Sequence, residues 1–176
     1  MLGLKNFQKG LQVYLTRHSY SNAERRDLWT ALTEVLPDNF TDWNGKKFNV
    51  EEFARKWTEQ MGYPTVFVET TDSGVKLTQK RFKIDEDAED DPRYANPEFG
   101  YKWNVPIWYS VDGESQPMAW LDSELEIKLA DKNSVILINH ESNGLYRVKY
   151  NAEQSRTNKC AFQTQKVYRF FKNCKR

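Results

Sequence analysis

The sequence predicts an α+β protein, with a short N-terminal helical segment followed by an antiparallel β-sandwich. Three observations carry this reading. Apolar residues recur at three- and four-residue steps from Leu4 to Met61, the period of a helix with one buried face. From Thr65 the period shortens to two, in short runs rich in β-branched and aromatic residues. Hairpin signals, among them Asp72-Ser73-Gly74, Asp112-Gly113 and Asn143-Gly144, separate those runs at even intervals.

The first helix places Leu4, Phe7, Leu11, Tyr14 and Leu15 on one face. A polar elbow follows, and Ser21 with Glu24 has the spacing of a capping box for a second helix. Leu28, Ala31, Leu32 and Val35 continue that helix as a stripe. Residues 37–48 are rich in Pro, Asp, Asn and Gly and read as a connector. Asn49 opens a third helix with Glu52 three residues on. Phe53, Trp57 and Met61 form its buried stripe, Gly62 is placed as its stop, and Pro64 bars continuation.

About six strands are expected after that. Thr65–Glu69 and Val75–Phe82 form a hairpin. An irregular stretch follows, beginning with the acidic run 85–91 and holding Pro92 and Pro97. Tyr101–Tyr109 alternates as one strand, in which Pro106 belongs at an edge or bulge. Ala119–Leu129, Val135–Ile138 and Leu145–Tyr150 complete the set.

Composition narrows the function classes. The 176 residues are 39% hydrophobic and 14% aromatic, enough for a packed core rather than a disordered chain. Net charge is +1, so no overall field gathers nucleic acid or an anionic membrane. No apolar run approaches the roughly 18 residues of a membrane span. The N-terminus is patterned as a helix and not as a signal peptide, so a cytoplasmic location is the default expectation. Cys160 and Cys174 are not spaced as a zinc motif; a disulfide and two free thiols both remain open for them. Asn39-Phe40-Thr41 is a glycosylation sequon, relevant only to a secreted chain.

The wording of several stretches points to a family. Gly10-Leu11, Tyr14-Leu15, His18, Tyr20, Asn22-Ala23 and Asp27-Leu28-Trp29 together resemble the closing helices of the catalytic domain in aminopeptidase N-type zinc metallopeptidases. Trp57 to Pro64 resembles that family's helix-to-sheet junction. Gln79-Lys80-Arg81-Phe82, Trp103-Asn104-Val105-Pro106-Ile107 and Gly144 to Tyr150 resemble strands of the β-sandwich that follows it. The resemblance covers roughly residues 1–150. It implies a helical segment over 1–62 from the end of a catalytic domain, a β-sandwich over 63–150, and a divergent, basic tail over 151–176. That tail holds seven Lys/Arg against the single acid Glu153, and Phe162, Val167, Phe170 and Phe171 are spaced for one short helix.

The resemblance also implies chemistry, namely removal of N-terminal residues from peptides with one zinc ion. In the family, His-Glu-x-x-His on a helix holds the metal and its Glu activates water. A Gly-x-Met-Glu-Asn stretch holds the substrate amine. Neither motif occurs in these 176 residues. The two histidines are His18 and His140; His140-Glu141 is followed by Gly144 where the second histidine would stand. No catalytic residue and no metal ligand is therefore assigned, no cofactor is expected in this chain, and a substrate-binding residue is not identified.

Other candidates read as structural. His18 fits a helix end and His140 a strand end, each without convergent partners. Asp85, Asp87 and Glu89 begin like a calcium loop, but Asp90 stands at the glycine position and Asn96 at the closing glutamate position. The Lys/Arg and Phe of the tail suit a solvated end better than a nucleic-acid or lipid contact. Trp103, Trp108 and Trp120 suit a sandwich core better than a ligand surface. Two functions follow: a non-catalytic part of a zinc aminopeptidase, or an interaction module that docks a protein partner through an exposed helical face.

Overall fold

The computed structural model describes residues 1–131 and 133–159. It has the expected α+β class. Two compact units divide it, one made of Met1–Met61 with Asp90–Asn104, the other of Gly62–Glu89 with the chain from Val105 onward.

The first unit holds α1 (Leu4–Arg17), α2 (Arg25–Glu34) and α3 (Val50–Thr58). Helices α1 and α2 meet at Gly10, where an added Cβ would lie 2.6 Å from Leu32 Cδ2. At the other end of the pair, the Arg17 guanidinium donates to both Glu34 oxygens, at 3.1 and 2.7 Å. Helix α2 starts later than the Ser21 spacing predicts. Asp27 accepts from the Glu24 N–H at 2.8 Å, so Glu24 is the N-cap. The elbow explains the delay: the Ser21 N–H donates to the His18 carbonyl, and Tyr20 sits at φ +58°.

Helix α3 begins as expected, with Asn49 Oδ1 accepting from the Glu51 N–H at 2.9 Å. Thr33 Oγ1 accepts from the Val50 N–H at 3.0 Å and ties α2 to α3. The helix stops at Thr58, short of the expected Met61. Gln60 turns its side-chain amide back to the Lys56 carbonyl at 2.7 Å and to Lys102 O at 3.0 Å, and Met61 is exposed. A row of rings fills this unit: Phe40–Phe48 at 5.2 Å, Phe48–Phe53 at 5.6 Å, Phe53–Trp57 at 6.0 Å and Trp57–Trp103 at 6.2 Å. Trp103 is thus core, as expected, but among helices and not within a strand.

The second unit is built of small sheets. Strands β1 (Pro64–Thr71) and β2 (Gly74–Arg81) form the expected hairpin, in the register Val66↔Gln79 and Val68↔Leu77. Gly74 is required there, since a Cβ would come 2.1 Å from the Ile127 carbonyl oxygen of β7. Strands β7 (Glu124–Lys128) and β9 (Arg147–Tyr150) flank the hairpin, in the order β7-β2-β1-β9. Strand β3 (Val105–Ile107) pairs with β6 (Ala119–Leu121). Strand β4 (Tyr109–Val111) lies between β5 (Glu114–Ser115) and β8 (Ile136–Ile138). Val66, Val68, Leu77, Ile107, Leu121 and Ile136 are fully buried.

Three strand expectations are corrected. The Tyr101–Tyr109 run yields β3 and the start of β4, in different sheets; Trp108 between them accepts from the Asn139 N–H at 2.7 Å. Pro106 is buried, in a strand with one partner only, so its missing N–H interrupts no second ladder. The Ala119–Leu129 run splits into β6 and β7 at Asp122-Ser123, where Gln79 Nε2 donates to the Asp122 carbonyl. The last strand starts at Arg147 rather than Leu145, and it runs parallel to β1, pairing Thr65 with Arg147 and Val68 with Tyr150. The other strand pairs are antiparallel.

Residues 152–159 form a fourth helix, α4. Asn151 Oδ1 accepts from the Gln154 N–H at 2.9 Å. Buried Gln154 and Asn158 donate to the carbonyls of Ser134 at 3.3 Å and Ile136 at 3.0 Å, fastening α4 to the sheets by hydrogen bonds. Cys160, Cys174 and the helix expected around Phe162, Val167, Phe170 and Phe171 lie outside the described residues.

Candidate functional site

The sequence singles out two histidines, and each is engaged locally. His18 caps the end of α1: its N–H donates to the Tyr14 carbonyl at 3.1 Å and its ring lies 5.5 Å from the Tyr14 ring. Its Nε2 is 4.0 Å from Asp27 Oδ2, the same carboxylate that caps α2. That contact steadies the elbow between two helices. It brings together two groups of metal-ligand type and no third among the described residues. His140 opens a single helical turn, His140–Ser142, with its N–H 3.3 Å from the Trp108 carbonyl. Among the described residues, no three His, Cys, Asp or Glu side chains are placed to hold a metal ion together.

The other candidates also have structural partners. Asp85 accepts from the Asp87 N–H at 3.1 Å. Asp91 caps the turn Pro92–Tyr94 and pairs with Arg93 at 2.8 Å, and the Arg93 hydrogen bond holds its carboxyl below the usual range. Trp120 stands opposite Pro106 in the β3–β6 ladder. Asn39 is exposed in a turn closed by the Phe40 N–H on the Pro37 carbonyl. Burial pushes the phenols of Tyr146 and Tyr150 above their ordinary range, so both stay protonated at neutral pH.

What remains is a surface. Gly10 turns one side of α1 to Leu32, and Gly10 is the one buried residue of that helix. Leu11, Leu4 and Leu15 lie roughly 100–140° further round, beyond the contact with α2. Leu4 is 71% exposed, Phe7 44% and Leu15 64%, while Leu11 and Tyr14 are half-buried. The stripe that periodicity places on one face of α1 is therefore open at Leu4, Phe7 and Leu15, the exposed helical face that the interaction-module reading names. The packing face was missed because a glycine makes it, and a hydrophobic pattern does not register glycine. A glycine inside a helix, disfavoured unless close packing needs it, is the signal that was available.

Comparison with known proteins connects this surface to a family. The family description "Peptidase family M1 domain" matches residues 1–57, from the start of α1 to the penultimate residue of α3. Aminopeptidase N of Haemonchus contortus is 35% identical over 156 residues, 86% of this chain and 16% of that protein. Human glutamyl aminopeptidase is 36% identical over 152 residues, 83% of this chain and 14% of that protein. The chain belongs to peptidase family M1. An aminopeptidase-like protein of Caenorhabditis elegans is 32% identical over 170 residues and covers 95% of the chain. That M1 similarity leaves too few residues uncovered to stop at 150, where the resemblance in wording ends. The chain spans about a seventh of the length of these M1 relatives. No helix among the described residues is long and apolar enough to cross a membrane.

Proposed function

We propose that this chain serves M1 aminopeptidase action, the removal of N-terminal residues from peptides, as a supporting part that carries none of the zinc chemistry. The observation that carries the reading is the open stripe Leu4–Phe7–Leu11–Leu15 inside the segment that matches the M1 domain. An apolar face of that kind on a peptidase-domain helix is suited to packing against further peptidase-domain sequence. The sheets then act as a scaffold. The absence of His-Glu-x-x-His from the 176 residues supports a division of labour in which zinc and the attacking water are held by other sequence.

The test is direct. The chain, incubated with aminoacyl-coumarin substrates with and without added zinc, should release no fluorophore. Turnover that a chelator abolishes would overturn the proposal.

A second reading draws on the same stripe: the chain docks as a module on a complete M1 family member. A pull-down with such an enzyme separates the two. Specific recovery, lost in the Leu4→Ser/Leu15→Ser variant, favours the module. No recovery of the complete enzyme favours the supporting part.

A further inference from the structure

The second unit carries a cleft of about 260 Å³ along strand β9, lined by Thr65, Phe67, Phe82, Arg147, Val148 and Lys149 among others. The cleft is rich in cations. Its acid, Glu86, lies 3.7 Å from Lys80. Arg147 and Lys149 are the exposed residues of β9, two positions apart and hence on one face of the strand. Each is placed by a ring. The Arg147 guanidinium carbon lies 4.1 Å from the centre of Phe82, which is stacked on Tyr63 at 5.2 Å, and Lys149 Nζ lies 5.5 Å from the centre of Phe67. Among the described residues neither cation has a carboxylate partner. A guanidinium stacked on a ring still presents its in-plane N–H groups to an incoming acid.

The backbone beside these cations is also open. Strand β9 ends its sheet, paired with β1 on one side and with no strand on the other among the described residues. An edge of this kind presents unpaired N–H and C=O groups at strand spacing. Recognition by strand addition uses those groups for affinity and alternate side chains for selectivity.

We propose that β9 is a docking edge for an extended acidic peptide segment, which adds as a further strand and sets carboxylates at alternate positions opposite Arg147 and Lys149. The spacing fits. Residues two apart on a strand are about 7 Å apart, and side chains directly opposite across a strand pair are within about 5.5 Å. A peptide with acids at every second residue meets both cations, whereas one with the acids side by side sends half of them to the other face. The inference concerns a different unit from the α1 stripe and stands or falls separately from it.

The experiment uses the full 176-residue chain. A fluorescent nonapeptide alternating Glu with Val is titrated and followed by anisotropy. Two controls accompany it, one of the same composition with its acids contiguous and one N-methylated on the edge that would face β9. The alternating peptide should bind about tenfold more tightly than either control, the difference that two exposed charge pairs or a short ladder supply. The variant R147Q/K149Q should lose about the same tenfold while its melting temperature falls by no more than a few degrees, the loss of two cation–π contacts at exposed side chains. Binding should protect from hydrogen exchange the backbone amides of Val148 and Tyr150, which face away from β1 because alternate amides, such as that of Asn151 on the Val68 carbonyl, point towards it. Equal affinity for the contiguous peptide or for heparin would overturn the proposal in favour of a general polyanion surface. No binding of the alternating peptide at millimolar concentration would overturn it outright.

Discussion

Helix α1 and the β1–β2 hairpin carry comparable sets of apolar side chains, and the fold treats them in opposite ways. In the hairpin, Val66, Val68, Val75 and Leu77 are all but sealed from water. In α1, Leu4, Phe7 and Leu15 stand in solvent, and the helix is secured by a glycine contact and a terminal ion pair. The difference teaches what a periodic pattern means. Alternation or a 3.6 repeat states which face of an element is apolar. Whether that face is covered depends on the other elements available.

The sharpest probe of this contrast is one substitution made in both places. Leu77→Ala should cost about 2–5 kcal/mol, because it opens a cavity in a closed core. Urea unfolding measures it. Gly10→Val comes next, at about 1–3 kcal/mol, since its new carbons must displace Leu32 from contact with α1. Leu4→Ala should change stability by less than about 0.5 kcal/mol. A Leu4→Ala cost equal to that of Leu77→Ala would break the contrast and show the α1 stripe covered in solution.

The smallest effect is at the Arg17–Glu34 pair. The Arg17 hydrogen bond holds the Glu34 carboxyl below its ordinary value. The pair's contribution is thus present above the ordinary carboxylate range and is lost as pH falls through the lowered value. Parent and Glu34→Gln should differ slightly at pH 7 and converge in acid, and high salt should shrink the gap. A gap that persists in acid would assign the effect to packing.

Local signals were legible in the sequence, and long-range ones were not. Asn49 announced the start of α3 because a cap acts within three residues. Asp72-Ser73-Gly74 announced the β1–β2 turn for the same kind of reason. The start of α2 was misplaced because Ser21 and Glu24 offer competing caps, and Asp27 favours the second. The breaks at Trp108 and at Asp122 were invisible because they arise where a strand changes partner, which alternation does not record. The parallel course of β9 was hidden likewise, since a period of two has no direction. The site was legible chiefly as the missing zinc motif. The cations on β9 carried no signal in the sequence, because the rings that position them come from β1 and from Phe82, just past the end of β2.

The β1–β9 pairing also bears on how the chain is made. Thr70 and Asn151, which bond beside that pairing, are 81 residues apart in sequence. Contacts closed over such a distance form late, after the hairpin has assembled from neighbouring residues. During synthesis β1 therefore waits with one flank bare until its final neighbour leaves the ribosome, and a nascent chain halted before that point has an adhesive margin for other copies to join.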